Sequence, residues 1–407
     1  MRTRTQVGIV GGGPAGLLLS HLLALRGIDS VLVEIRSREY CEARQRAGVL
    51  EDGSVALLRG AGLADRLDQL GLVHGGIYLQ FDGQRRHLNF RELTGGRTVT
   101  VYAQTEVVKD LIARRLADGG ALEFSVTDTE VAGLDTDRPL LRYTDARGDR
   151  HEVACDAIAG CDGFHGVCRP SIPPGVLTTW ERDYPYAWLG ILADVPPSTD
   201  ELIYAHHPAG FALHSLRSLA TSRLYLQVSP HEDIDEWPDG RIWAELARRF
   251  ELPEWTLQQG PVLDKSITPM RSFVSAPMRY GRLFLAGDAT HIVPPTGAKG
   301  LNLALADVAM LAPALDALLH GDEQPAAAYS ANCLDRVWRS THFSWWMTTM
   351  LHRTPGADEM ETQLQLSQLR YTVSSRAAAT ALAENYTGFP VQRTVEARQP
   401  GPGVPSP

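Results

Sequence analysis

The chain has 407 residues, enough for two or three packed units, and its 44% hydrophobic and 21% charged residues are the balance of a globular protein. A formal net charge of −9 without a basic block argues against nucleic acid as a partner. Five cysteines (Cys41, Cys155, Cys161, Cys168 and Cys333), odd in number and without Cys-x-x-Cys spacing, argue against zinc and a disulfide framework and for free buried thiols in a reducing cytoplasm, and no metal site is expected.

In chain order, residues 6–10 read as a short β-branched strand that starts almost at once, so no signal peptide is expected. Gly11, Gly13 and Gly16 follow with G-x-G-x-x-G spacing, and residues 14–26 read as the next helix, stopped by Gly27. Residues 30–34 are a second strand whose terminal Glu34 stands where a ribose-binding acid belongs. Strand, glycine turn, helix, strand and acid in that order predict a bound dinucleotide, its pyrophosphate on the helix N-terminus. Residues 78–88 predict a hairpin on Asp82-Gly83, and residues 104–116 an amphipathic helix. Residues 156–163 read as a buried strand ending in the turn Asp162-Gly163. Four strands, 186–193, 201–204, 211–217 and 223–228, then replace the helical pattern and predict a separate sheet domain. The α/β style returns at 281–288, where Gly287-Asp288 ends a strand, and the remainder is helical. Residues 300–319 are the most apolar long stretch but carry Asp307, Pro313 and Asp316, so a buried helix is expected and no membrane span.

Three strand-ending Gly/Asp loops converging on one place would enclose an extended cofactor; each alone is an ordinary turn. The loop 294–302 enters a helix whose free N–H groups, with Lys299, would add positive potential, unless Lys299 is a solvated loop lysine. Alternation along the middle strands puts Phe211, Leu213, Ser215 and Arg217 on one face, with Arg223 and Tyr225 together on the next strand. Such a surface suits an aromatic ring ending in a carboxylate, or is an ordinary sheet face with salt-bridged arginines. The residues alone lead to a flavin- or nicotinamide-dependent enzyme with an anionic aromatic substrate.

The stretches 46–51 (Arg-Ala-Gly-Val-Leu-Glu), 102–106 (Tyr-Ala-Gln-Thr-Glu), 158–166 and 283–302, with the set Ser215, Arg217, Arg223, Tyr225, Tyr204 and Tyr386, resemble the 4-hydroxybenzoate 3-monooxygenase (para-hydroxybenzoate hydroxylase) family of single-component FAD aromatic hydroxylases, over residues 5–390. The resemblance implies an α/β fold: a discontinuous Rossmann-like FAD domain (1–177), residues 75–103 contributing to the substrate sheet, an inserted sheet domain (178–275), a return to the FAD domain with a helical C-terminal interface (276–390), and a disordered tail (391–407). By position it implies that Gly11, Gly13, Gly16, Glu34, Arg44, Gln104, Asp162, Gly163, Asp288, Leu301 and Asn302 bind FAD. Ile35, Arg36, Tyr40, Arg46, His165 and Arg271 would serve NADPH or NADH, and Ile35 stands where an arginine is common. Arg217, helped by Ser215 and Tyr225, would pair with a substrate carboxylate. Tyr204, Tyr386, the Pro295 carbonyl, Lys299, Asn302 and His74, the solvent end of a tyrosine relay, would act in catalysis. His206 and His214 replace smaller residues near the pocket strands. The implied reaction hydroxylates 4-hydroxybenzoate at the 3-position with NAD(P)H and O₂ in a cytoplasmic homodimer. A substituted substrate such as 3,4-dihydroxybenzoate or 4-aminobenzoate, a non-oxygenating FAD oxidoreductase and a redox-sensing flavin protein are the alternatives.

Overall fold

Val7–Val10 is buried along its whole length, as a short apolar strand with parallel neighbours on both sides must be. In the computed structural model, which describes residues 2–44 and 48–390, it is central to a six-stranded sheet. That sheet runs Arg279–Tyr280, Leu283–Leu285, Ala157–Gly160, Val7–Val10, Ser30–Glu34, Ala121–Phe124. Its strands come from distant parts of the chain, and all its pairings are parallel except that of Arg279–Tyr280 with Leu283–Leu285. The helices Pro14–Ala24 and Gln104–Ala117 cover it, with Gly300–Leu319 packed on Pro14–Ala24. Gly300–Leu319 is apolar and long enough to cross a bilayer, yet 72% of its apolar window is buried inside the protein. The tail 391–407, expected to be disordered, lies outside the described residues.

The second large layer is an eight-stranded sheet in the order His291–Ile292, Val262–Ala276, Thr178–Ala193, Ser222–Val228, Ala212–Leu216, Ile203–Ala205, Gly76–Phe81, Gln84–Asn89. The Asp82-Gly83 hairpin forms its edge, both turn residues being left-handed (φ 54° and 66°), as a two-residue type I′ turn requires. The strand expected at 186–193 begins eight residues earlier. Pro185, which has no N–H to give, sits where the register shifts between Asp183 and Ala187, so the strand continues through a bulge. Its long partner Val262–Ala276 went unread because its pattern alternates only in part. The middle third is not purely strand: the amphipathic helix Asp239–Arg249 covers one face of this sheet with Ile242, Trp243 and Leu246. Phe211, Leu213, Tyr204, Tyr225 and Trp188 occupy the other face, under Tyr386 and the C-terminal helices. Two smaller sheets, of four and three strands, complete the chain; the three-stranded one carries Leu72–His74 and Val49–Glu51.

Candidate active site

The glycine turn is shaped by close approach. Gly11 has φ +108°, and a Cβ there would lie 2.3 Å from the carbonyl oxygen of Cys161; a Cβ on Gly16 would lie 2.0 Å from that of Gly11. At Gly13, by contrast, a Cβ would meet nothing within 4 Å, and the helix starting at Pro14 has no side-chain cap. Uncapped first-turn N–H groups beside open space are what a pyrophosphate needs. Glu34 ends its strand beside this turn, accepting from Gly12 N (2.6 Å) and Arg36 N (2.8 Å). These features fit an FAD adenosine–pyrophosphate half. Gln104 opens its helix half-buried, and Arg44 is exposed.

Asp162 turns inward: it accepts from Cys168 N (2.8 Å), and a Cβ on Gly166 would lie 2.0 Å from its Cγ. Burial raises the Asp162 carboxyl above its usual range. Gly163 takes φ +75° at the same turn, and Asp288 is exposed on the Gly287–Ala289 turn. That turn is anchored by Asp307, which accepts from Gly287 N (2.9 Å) and His291 Nε2 (2.6 Å). Burial opposes charge on His291, but Asp307 outweighs it and raises the imidazole pKa. Leu301 is half-buried in the first turn of Gly300–Leu319.

Beyond these loops a cavity opens against the eight-stranded sheet. Tyr204, Leu213, Ser215, Arg217, Arg223, Tyr225 and Trp188 line it from the sheet, Val49 from the strand Val49–Glu51 and Pro295 from the short turn Pro295–Gly297. The alternation read from the sequence holds, because His214 points to the far side, where its Nε2 accepts from Ser198 N (3.1 Å) and its ring meets Phe250. Tyr204 and Tyr386, each 1% exposed, share a 2.6 Å hydroxyl–hydroxyl hydrogen bond across 182 residues of sequence. Burial pushes both phenols above their usual pKa. At the other end Arg217 Nη2 donates to Thr105 Oγ1 (3.1 Å), and Arg223 Nε donates to Tyr225 Oη (3.3 Å). Burial, and then the neighbouring Arg223, lower the Arg217 pKa. Arg223 Nη1 is buried without a hydrogen-bond partner among the described residues, and no described residue lining the cavity is acidic. Two half-buried guanidinium groups held together favour an anion between them.

Several expected roles change in the structure. Lys299 is neither a solvated lysine nor an unshared positive charge: it is 2% exposed, and its Nζ donates to Glu51 Oε1 (2.5 Å) and to the Tyr386 carbonyl (3.0 Å). Burial lowers its pKa, partly offset by the Glu51 carboxylate. Asn302 spends its amide on the fold, donating to Val49 O (2.9 Å) and Ala298 O (2.8 Å) and accepting from Glu51 N (2.9 Å). The Pro295 carbonyl accepts from Ala298 N (2.9 Å), although the residue lines the cavity. His74, expected at the solvent end of a relay, is 1% exposed with neither ring nitrogen hydrogen-bonded among the described residues. Burial lowers its pKa, against the opposing pull of Glu201 and Asp200. His206 binds the Leu351 carbonyl through Nδ1 (3.1 Å). Among the described residues the Ser215 hydroxyl reaches its neighbour's carbonyl, at 3.4 Å.

The expected nicotinamide residues form two clusters. Arg36 and Arg44 flank the Tyr40 ring (5.2 and 5.9 Å) beside Ile35, which is 67% exposed. His165 and Arg271 flank Phe164 (4.9 and 5.0 Å), with Arg271 also paired to Glu181. Arg46 lies outside the described residues. Sequence reasoning missed Glu51, Asp307, Thr105 and the pair Trp188–His352, in which the indole N–H donates to His352 Nε2 (2.7 Å). Glu51 and Thr105 stand inside the quoted signature stretches, but their partners are 248 and 112 residues away, and no local pattern carries that.

Comparison with known proteins agrees with this geometry. Residues 4–344 match the FAD binding domain family. The chain is 47% identical over 392 residues, 96% of each chain, to p-hydroxybenzoate hydroxylase of Acinetobacter baylyi. It is 28% identical over 334 residues, 80% of this chain and 59% of the relative, to 3-(3-hydroxy-phenyl)propionate/3-hydroxycinnamic acid hydroxylase 2 of Burkholderia vietnamiensis. The crystal structure of p-nitrophenol 4-monooxygenase from Pseudomonas putida superposes with a TM-score of 0.82 at 20% identity, covering 95% of this chain and 99% of that one, a likeness of fold.

Proposed function

Because the chain belongs to the FAD binding domain family and, within it, to the p-hydroxybenzoate hydroxylases, we propose that this FAD-dependent monooxygenase converts 4-hydroxybenzoate to 3,4-dihydroxybenzoate with NAD(P)H and O₂. The observation that carries the substrate is the cavity's polarity. Two half-buried arginines stand at one end and a hydrogen-bonded tyrosine pair at the other, with apolar walls between. A ring with a carboxylate at one pole and a phenol at the other matches both ends. Arg217, supported by Ser215 and Tyr225, grips the carboxylate. Tyr204 meets the phenol and hands its proton to Tyr386. A phenol ionises near pH ~10, so hydrogen bonds to the charged form must favour it before the ring becomes a strong nucleophile.

Gly11, Gly13 and Gly16 with the helix at Pro14 would hold the FAD pyrophosphate, Glu34 the ribose, and the loops at Asp162 and Asp288, with Gln104, Arg44 and Leu301, the rest. FAD supplies electron transfer from the nicotinamide and the activation of O₂. Lys299 and Asn302 act through Glu51 and the backbone they hold. The clusters at Tyr40 and Phe164 serve the nicotinamide coenzyme. We assign FAD binding to residues 1–177 and 276–390 and the substrate sheet to 178–275 with 75–103, in a cytoplasmic homodimer. The exposed stripe Met360, Leu364 and Tyr371 on one face of Glu359–Ser374 supports self-association.

The test is to purify the protein, record its flavin spectrum, and analyse products with 4-hydroxybenzoate, 3,4-dihydroxybenzoate and 4-aminobenzoate. Hydroxylated product from 4-hydroxybenzoate alone supports the reading. Coenzyme turnover without oxygen insertion into any of the three would return the chain to a non-oxygenating oxidoreductase.

A further inference from the structure

Thr105 sits in the first turn of Gln104–Ala117, where a threonine hydroxyl could serve the helix start, but its oxygen is used elsewhere. It is 3% exposed and lies between two other segments: Arg217 Nη2 is 3.1 Å away on one side and the Arg44 carbonyl 3.1 Å on the other. The direction of both bonds is forced. A guanidinium can only donate and a carbonyl can only accept, so the hydroxyl accepts from Arg217 and donates to Arg44. Arg44 caps the helix Arg38–Ala43, whose last carbonyls lack helical partners. A single oxygen therefore joins the arginine facing the cavity to the segment that runs from Glu34 past Tyr40.

We propose that Thr105 is a positioning residue that couples anion binding at Arg217 to dinucleotide binding along residues 34–44. The proposal rests on the functional reading above. A carboxylate drawn to Arg217 fixes the guanidinium, and with it the hydroxyl and the Arg44 carbonyl. Coupling of this kind is reciprocal, so each ligand tightens the other by the same factor.

The experiment dilutes the FAD-loaded protein and follows released FAD by its fluorescence, with and without saturating 4-hydroxybenzoate. In the wild type, 4-hydroxybenzoate is expected to tighten FAD binding about five-fold or more. Thr105→Val should bring that ratio close to one, and Thr105→Ser should restore it. Thr105→Ala is the second variant should the valine protein not accumulate. A purely structural role would weaken FAD equally in both arms and leave the ratio alone, so a wild-type ratio in the variants lacking the hydroxyl overturns the proposal. A ratio of one in the wild type overturns it too, even where 4-hydroxybenzoate perturbs flavin absorbance. No absorbance response in the wild type would instead overturn the substrate assignment, and the coupling with it.

Discussion

Arg217 is where the chemistry of a single side chain decides most. Its guanidinium is half-buried beside a second guanidinium, an arrangement that an incoming anion relieves. Arg217→Lys loses the planar fork, and Arg217→Ala leaves the incoming carboxylate unpaired, at about 2–5 kcal/mol in binding. Titration of flavin absorbance with 4-hydroxybenzoate reads this directly, and wild-type affinity in the alanine variant would remove Arg217 from the site. Tyr204 divides reduction from hydroxylation. Tyr204→Phe removes the 2.6 Å bond to Tyr386 and the contact to the substrate phenol but leaves the dinucleotide residues untouched. NAD(P)H should still be consumed while the yield of 3,4-dihydroxybenzoate per coenzyme falls and hydrogen peroxide rises. Fully coupled product formation would mean that another group activates the phenol.

At the scale of elements, the Glu51–Lys299 pair ties three pieces of backbone together. Lys299 precedes the helix Gly300–Leu319, Glu51 ends the strand Val49–Glu51, and the Tyr386 carbonyl that also binds Lys299 lies near the end of Arg376–Thr387. Glu51 also packs against Gly388, where a Cβ would fall 1.9 Å from its Oε2. Removing one partner strands a buried charge: Glu51→Leu should cost about 3–5 kcal/mol in stability. The double variant Glu51→Leu/Lys299→Met should recover most of that loss. Denaturant melts of the wild type, Glu51→Leu, Lys299→Met and the double variant measure the coupling; additive losses would mean that the two side chains act independently.

For the whole molecule, buried neutral histidines set the acid limit. Burial lowers His352 to about 3 and His214 to about 4, against about 6.5 when unfolded. The unfolded chain therefore binds protons first, and their stabilisation is complete above about pH 6.5 and lost as pH falls towards the folded values. Each should cost about 2 kcal/mol by pH 5. His291, raised by Asp307, works in the opposite sense. Melting at pH 7.5 and pH 5 tests this, and an unchanged midpoint would contradict it. Coenzyme choice is likewise a property of the assembled surface. Ile35 offers no charge, and Arg38 donates to Glu42 (2.7 Å), which leaves Arg36 and Arg44 beside Tyr40 as the cations available to a 2′-phosphate. NADH is expected to serve about as well as NADPH. Losing one charge-assisted contact is worth ~1.5–3 kcal/mol, so a kcat/KM preference for NADPH above roughly 100-fold would refute this.

The sequence by itself determined what local pattern encodes. The glycine spacing, the β-branched strands and Glu34 specify the dinucleotide turn, and period-two alternation puts Ser215 and Arg217 on one face and His214 on the other. These properties depend on neighbours within a few residues. Only the tertiary structure decided which distant groups meet. Lys299 reads as a loop lysine until Glu51 arrives from 248 residues away, and His74 reads as a solvent contact until packing buries its side chain. The Val262–Ala276 strand and the Tyr204–Tyr386 bond likewise exist through pairing partners far along the chain. Spacing fixes the direction of a side chain within its own element. Burial, charge state and partner are set by packing between elements, and a linear pattern does not carry that information.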